Sequence, residues 1–269
     1  MESFPKVFNP TNYAIITVTG KDSGSFLFKL IAGNTPNLDL QVAFVVFLNH
    51  QGRIFNFGHI IKINSEEYRL LIPYDTLELF VSYLNKMKFR SHVSITSTKA
   101  NILILNEQEA SIHQVATSKD NEVEIRDYGL LFTFGMNIGH CILFNNEKEF
   151  SLWLADQKLA EFINTTVAFN AWCIYNSFPV FSTEMINTFL ALRILPEEIK
   201  NKAISLKKGC YPGQEIIART TYLGSNKYSL ITLASKNLID SNLDILINSV
   251  NFKETDYILV ARKIKELDS

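Results

Sequence analysis

The chain predicts an α+β protein closed by a small β module, on three observations. Short β-branched runs are interleaved with stretches of helical period in the first half, the pattern recurs more loosely after residue 100, and residues 228–263 hold three short alternating runs. Tyr13–Thr19 alternates and is β-branched, which makes it a strand. Asp22 then stands where a helix cap belongs, ahead of Phe26, Leu27, Leu30 and Ile31 at helical spacing. Residues 42–48 and 53–63 are apolar β runs separated by Asn49-His50-Gln51-Gly52, a hairpin turn with a suitable glycine, and residues 68–72 follow as a third strand. Pro73 can open a helix whose apolar stripe is Leu77, Phe80, Val81 and Leu84, and residues 93–98 return as strand. The pattern then recurs more loosely. Residues 102–105 are apolar, 107–116 read as helix, and 128–134 and 141–144 read as strands around turns at Gly135 and Gly139. Helices are expected over 147–159 and 168–175, with Trp153 and Trp172 as core residues. Residues 228–234, 243–250 and 257–263 supply the strands of the terminal module.

At 269 residues the chain can bury a substantial core. A formal charge of -1 and the lack of a long basic run argue against broad electrostatic binding to nucleic acid. The longest wholly apolar run, residues 42–48, is far below a bilayer's thickness, and the N-terminus shows no basic start followed by an apolar stretch, so a cytoplasmic protein without a membrane span is expected. Cys141, Cys173 and Cys210 stand far apart with no C-x-x-C pair, and the five histidines are scattered, which predicts neither a disulfide framework nor a metal site in this chain.

The densest chemistry lies in Lys208-Gly209-Cys210-Tyr211-Pro212-Gly213-Gln214-Glu215, which gathers a thiol, an amide, a carboxylate and a cation around two backbone-permissive glycines. Lys207, Lys208 and Arg219 would favour thiolate if they lie close to Cys210, which makes Cys210 the reactive candidate. Gln214 and Glu215 can meet the polar edge of a heterocycle or pin the loop, and pinning suits Glu215 better. Arg219 can grip a ligand carboxylate or a structural one, and Tyr211 can stack or simply pack.

This octapeptide resembles the K-G-C-Y-x-G-Q-E signature of the YgfZ-type folate-binding proteins, relatives of the glycine-cleavage T protein. The likeness continues through Ile216-Ile217-Ala218-Arg219 and Tyr222-Leu223-Gly224. Weaker echoes follow in order at Val18-Thr19-Gly20-Lys21-Asp22, Asn49-His50-Gln51-Gly52-Arg53 and Tyr68-Arg69-Leu70-Leu71-Ile72-Pro73. The resemblance implies two α+β, ferredoxin-like-related subdomains, residues 18–99 and residues 1–17 with 100–224, and a barrel-like module at 225–269 that is short for a closed barrel. It also implies tetrahydrofolate as ligand, with Gln214, Arg219, Tyr211 and, less directly, Arg53 as its contacts. Two departures stand out. Cys173 and Ser177-Phe178-Pro179 occupy the places of the family's arginine and G-I-P run, and its P-Q-x-x-N stretch has only Leu195-Pro196-Glu197-Glu198 as a counterpart.

Three functions follow as expectations. The first is a folate-binding accessory protein that supports assembly or repair of iron–sulfur clusters in client proteins, tRNA-thiolating enzymes among them. The second is a tetrahydrofolate-dependent aminomethyltransferase, for which Asp22 is a conceivable base although its place also reads as a helix N-cap. The third is a tRNA- or protein-binding module without chemistry of its own.

Overall fold

A computed structural model describes residues 4–117, 121–135, 138–159, 165–223 and 228–264. The chain divides into two compact units, one of Met1–Phe28, Thr35–Val45 and Gly58–Phe169, the other of Lys29–Asn34, Val46–Phe57 and Asn170–Ser269.

The first unit is built on two antiparallel sheets. Its opening elements are β1 (Val7–Phe8), β2 (Tyr13–Thr19), α1 (Ser23–Leu30), β3 (Gln41–Leu48), β4 (Ile54–Asn64), β5 (Glu67–Pro73), α2 (Leu77–Met87) and β6 (Ser94–Lys99). One sheet has the order β3-β4-β5-β2-β6, with the outer ends of β3 and β4 running on into the second unit. In its register Thr17 lies opposite Arg69 and Thr96, and Ile15 opposite Leu71 and Thr98. Ala14, Ile16 and Val18 are wholly buried while Thr17 and Thr19 are only partly so, the alternation expected of a strand with one core face.

The second sheet is formed by β7 (Ile102–Leu105), β8 (Glu124–Arg126), β9 (Gly129–Phe134) and β10 (Gly139–Phe144), with α3 (Glu107–Ile112) and α4 (Glu147–Asp156) beside them, in the order β1-β7-β10-β9-β8. Both helices open on an asparagine cap, Asn106 accepting from the Glu109 amide and Asn146 from the Glu149 amide. Trp153 joins Leu103, Leu131 and Ile142 in the core of this sheet. His59 is buried against Phe44, Phe132 and Phe134, with Nε2 accepting from the Gly135 amide at 2.9 Å. The Asp22 carbonyl takes the first helical bond of α1 from the Phe26 amide, so the residue does hold the cap position. Its carboxylate accepts from the His92 amide at 2.7 Å and ties down the loop before β6.

The second unit carries α5 (Thr166–Tyr175), most of which falls within it, then α6 (Ala191–Ile194), α7 (Glu197–Ala203), α8 (Gln214–Tyr222), β11 (Tyr228–Leu233), β12 (Asp244–Phe252) and β13 (Thr255–Lys263). The last three strands form an antiparallel sheet in the order β11-β13-β12 around Leu233, Ile258 and Val260. This sheet is open, as the short module leads one to expect. Lys253 and Glu254 both have positive φ and make the tight turn between its long strands. Trp172 is a correction to the expectation of two core tryptophans: it is half-buried and stacks on exposed Tyr175 with ring centroids 5.9 Å apart. Among the described residues no helix is long and apolar enough to cross a membrane.

Candidate functional site

The signature octapeptide is not one loop. It is a turn, residues 208–213, that runs straight into α8, so Gln214 and Glu215 begin a helix and Arg219 lies in that helix's last turn. Lys208 is the anchor of the turn. Its Nζ donates to the carbonyls of Ile31 at 2.7 Å and Gly33 at 2.8 Å, and it lies 5.6 Å from the centre of the Tyr211 ring. The acceptors belong to a short stretch held on both sides, since the Ala32 amide bonds the Val46 carbonyl and the Ser205 amide bonds the Ala32 carbonyl. Burial pulls the Lys208 ammonium down to about 8. Two carbonyl acceptors favour the protonated form, so the side chain stays charged at neutral pH. Ser205 Oγ accepts from the Lys208 amide at 3.2 Å, and Gln214 Nε2 donates to the Lys208 carbonyl at 3.2 Å, which closes the turn on itself.

Gly213 ends the turn with φ 81° and serves as the residue before α8. A Cβ there would stand 2.4 Å from the Asn49 carbonyl oxygen and 2.9 Å from Gly52 Cα. The octapeptide therefore docks directly on the Asn49–Gly52 turn, glycine against glycine. That turn is itself fixed: Asn49 Oδ1 accepts from the amides of Gln51 at 2.9 Å and Arg53 at 3.0 Å, and Asn49 Nδ2 donates to Asn187 Oδ1 at 2.8 Å. Arg53 Nη1 donates to the Thr188 carbonyl, so this guanidinium is committed in part to backbone.

Cys210 is exposed at the apex, and a Cβ on its neighbour Gly209 would meet nothing within 4 Å. The other two thiols are buried and burial pushes both up, which leaves Cys210 as the accessible one. Tyr211 is buried, its hydroxyl has no hydrogen-bond partner, and burial pushes it up to about 12. Glu215, expected to pin the loop, is exposed and bonds to no described residue, and Arg219 is likewise exposed and unpaired among them. Sequence reading did not single out Ser205, Asn187, or the carbonyls of Ile31 and Gly33. Of these only Ser205 carries a local signal, a hydroxyl placed to catch amides two and three residues on. Gly224, the end of the sequence likeness, lies outside the described residues.

The chain is 24% identical over 248 residues to the tRNA-modifying protein YgfZ of Photobacterium profundum, covering 85% of this chain and 70% of that one. It is 23% identical over 269 residues to the tRNA-modifying protein YgfZ of Escherichia coli O157:H7, covering 95% and 80%. The glycine cleavage system aminomethyltransferase T of Bartonella henselae matches its fold with a TM-score of 0.71 at 10% identity, over 96% of this chain and 78% of that one. Over most of its length the chain is similar to YgfZ proteins, and its fold is that of the aminomethyltransferase. No protein-family model matches the chain.

One departure from the YgfZ-type pattern has a structural reading. Ser177, where the resemblance places a glycine, holds φ 56° in the turn that ends α5, with the Phe178 amide bonded to the Cys173 carbonyl. The backbone thus keeps a left-handed turn that suits glycine although serine now fills it. Ser177→Gly should raise stability by about 1 kcal/mol, read as a higher midpoint in urea unfolding. Cys173 is buried and brings no charge to replace an arginine.

Proposed function

We propose that this chain is a folate-binding accessory protein that acts in the cytoplasm and supports assembly or repair of iron–sulfur clusters in client enzymes, including those that thiolate tRNA. The observation that carries this reading is a single accessible thiol, Cys210, presented on a turn that Lys208 and Gly213 hold fixed. A merely structural cysteine would be packed, and an accidental surface cysteine would have no such support beneath it.

The donor set fits a folate. Tyr211 keeps a buried hydroxyl without a partner, Gln214 spends its amide nitrogen on Lys208 and leaves its carbonyl oxygen, and Arg219 is an uncommitted guanidinium among the described residues. In this reading Tyr211 and Gln214 hold the pterin's polar edge, and Arg219 or, with its remaining nitrogens, Arg53 holds the glutamate tail. When bound, the reduced folate supplies a carrier for one-carbon units. Cys210 presents its thiol to the client, and the Lys208 clamp keeps that thiol's backbone in place. The aminomethyltransferase reading needs a free general base, and the Asp22 carboxylate already accepts the His92 amide.

In cells lacking the wild-type protein, Cys210→Ala should leave cluster-dependent enzymes at the level of the empty vector. Full rescue by this variant would sink the role given to the thiol.

A further inference from the structure

Within the first unit, the sheet that carries β2, β5 and β6 turns a partly open face toward the start of β7 and the end of β10. A cleft of about 370 Å³ lies there, within the size range of small-molecule sites. Its lining brings Arg69 and Lys99 together and contains no carboxylate. Register explains part of the grouping: Thr17 pairs with Arg69 across β2 and β5, and Ile15 pairs with Thr98 across β2 and β6, so these four side chains share one face, while Lys99, which pairs with Ala14, joins the lining at the end of β6. Asn101 joins them from the turn after β6, and its backbone carbonyl is held by the Phe144 amide at 3.0 Å.

The polar lining is poorly occupied by protein. The side chains of Thr17, Thr98, Lys99 and Asn101 make no hydrogen bond or ion pair with a described residue. Arg69 gives Nε and Nη2 to the same oxygen, Glu67 Oε1, each at 2.9 Å, and leaves Nη1 uncommitted. Beneath these donors Ile15 and Phe144 are 7% and 4% exposed and form an apolar floor. A solvated sheet face with mixed charges would need neither the concavity nor the one-sided set of donors. Glu67 offsets one of the two cations, so about one positive charge is left to balance. We propose that this cleft binds a small, singly charged oxyanion with a short apolar body, a carboxylate in preference to a phosphate dianion. Arg69 Nη1 and Lys99 hold the head, Asn101 and the threonine hydroxyls complete its hydrogen bonds, and Ile15 with Phe144 receives the body.

The test is a titration of the full isotope-labelled chain with butyrate, and separately with inorganic phosphate, at low ionic strength, followed by NMR. Butyrate should produce saturable shifts confined to Thr17, Arg69, Thr98, Lys99, Asn101 and their neighbours. Lys99→Ala and Asn101→Ala should each weaken it about tenfold with no change in thermal midpoint, and Cys210→Ala should bind as wild type, which separates this site from the signature turn. Shifts that never saturate, or that survive unchanged in Lys99→Ala, overturn the site. Phosphate binding there at least as tightly as butyrate overturns the carboxylate preference. Capture of a short oligoribonucleotide at these residues, with butyrate failing to bind, overturns the small-molecule assignment in favour of a nucleic-acid surface.

Discussion

Gly213→Ala should dismantle the candidate site, while Gly209→Ala, four residues earlier in the same octapeptide, should leave the fold unchanged. At Gly213 the added methyl faces two obstacles at once. The residue sits at φ 81°, where a side chain is strained, and the Asn49 carbonyl oxygen would be only 2.4 Å away with Gly52 backbone close behind. Neither obstacle is the flexible end of a side chain, so the turn must lift off its neighbour. A cost of about 3 kcal/mol or more is expected, since backbone strain and a backbone clash add. The Lys208 bonds to Ile31 and Gly33 depend on the same docking and should loosen with it. Urea unfolding of the two variants measures the difference, and hydrogen exchange at the Lys208 and Ile217 amides locates it. Equal stabilities would contradict the glycine-on-glycine contact. A Gly209→Ala protein that is stable yet inactive would instead show that something must approach the open space beside Cys210.

Stability should fall steeply in mild acid through a single residue, His59. Burial pushes its imidazole down to about 3 from the ordinary 6.5, and its Nε2 is the acceptor of the Gly135 amide bond. The proton of the neutral ring must then sit on Nδ1, which is buried without a partner. The folded state therefore refuses a proton that the unfolded chain accepts below pH 6.5. The contribution of His59 is fully present above 6.5 and is lost progressively as pH falls from 6.5 toward about 3. The slope is about 1.4 kcal/mol per pH unit, which reaches about 4–5 kcal/mol at the lower limit. His59→Gln keeps an acceptor for the Gly135 amide and removes the titration. Between pH 6.5 and 4.5 the unfolding free energy of wild type should drop by about 2 kcal/mol more than that of this variant. Parallel pH profiles would show that His59 takes its proton without unfolding.

What could be read in the sequence follows the strength of the local signal. Tyr13–Thr19 and the three terminal runs alternate cleanly, and the structure forms strands there. The helix over 107–116 ends early, at Ile112, because His113 and Gln114 turn away, Gln114 with φ 55°. Three short helices carry no sequence signal, for a physical reason: α6 is a single turn of four residues, too short to show a period. In α7 only Ile199 and Ala203 are buried and in α8 only Ile217, too few apolar positions to show a helical stripe. Strands β1 and β8 are edge pieces of two and three residues, shorter than any alternation can reveal. At the site, Gly213 of the octapeptide serves the backbone as glycine should, with φ 81° and the Asn49 carbonyl against it. Gly209 does not, since its surroundings are open. The Lys208 anchor was out of reach of any local pattern, because its acceptors are carbonyls 177 and 175 residues away along the chain.

In the proposed function the signature turn and the residues around it form a folate site served by one accessible thiol. Calorimetric titration of tetrahydrofolate, under anaerobic conditions, into the wild-type chain, Cys210→Ala and Arg219→Ala tests it most directly. Binding to the wild type and to Cys210→Ala with similar affinity is expected, with a loss of about tenfold in Arg219→Ala. No heat of binding to a correctly folded wild-type protein would contradict it, and would leave the turn to act through protein contact alone.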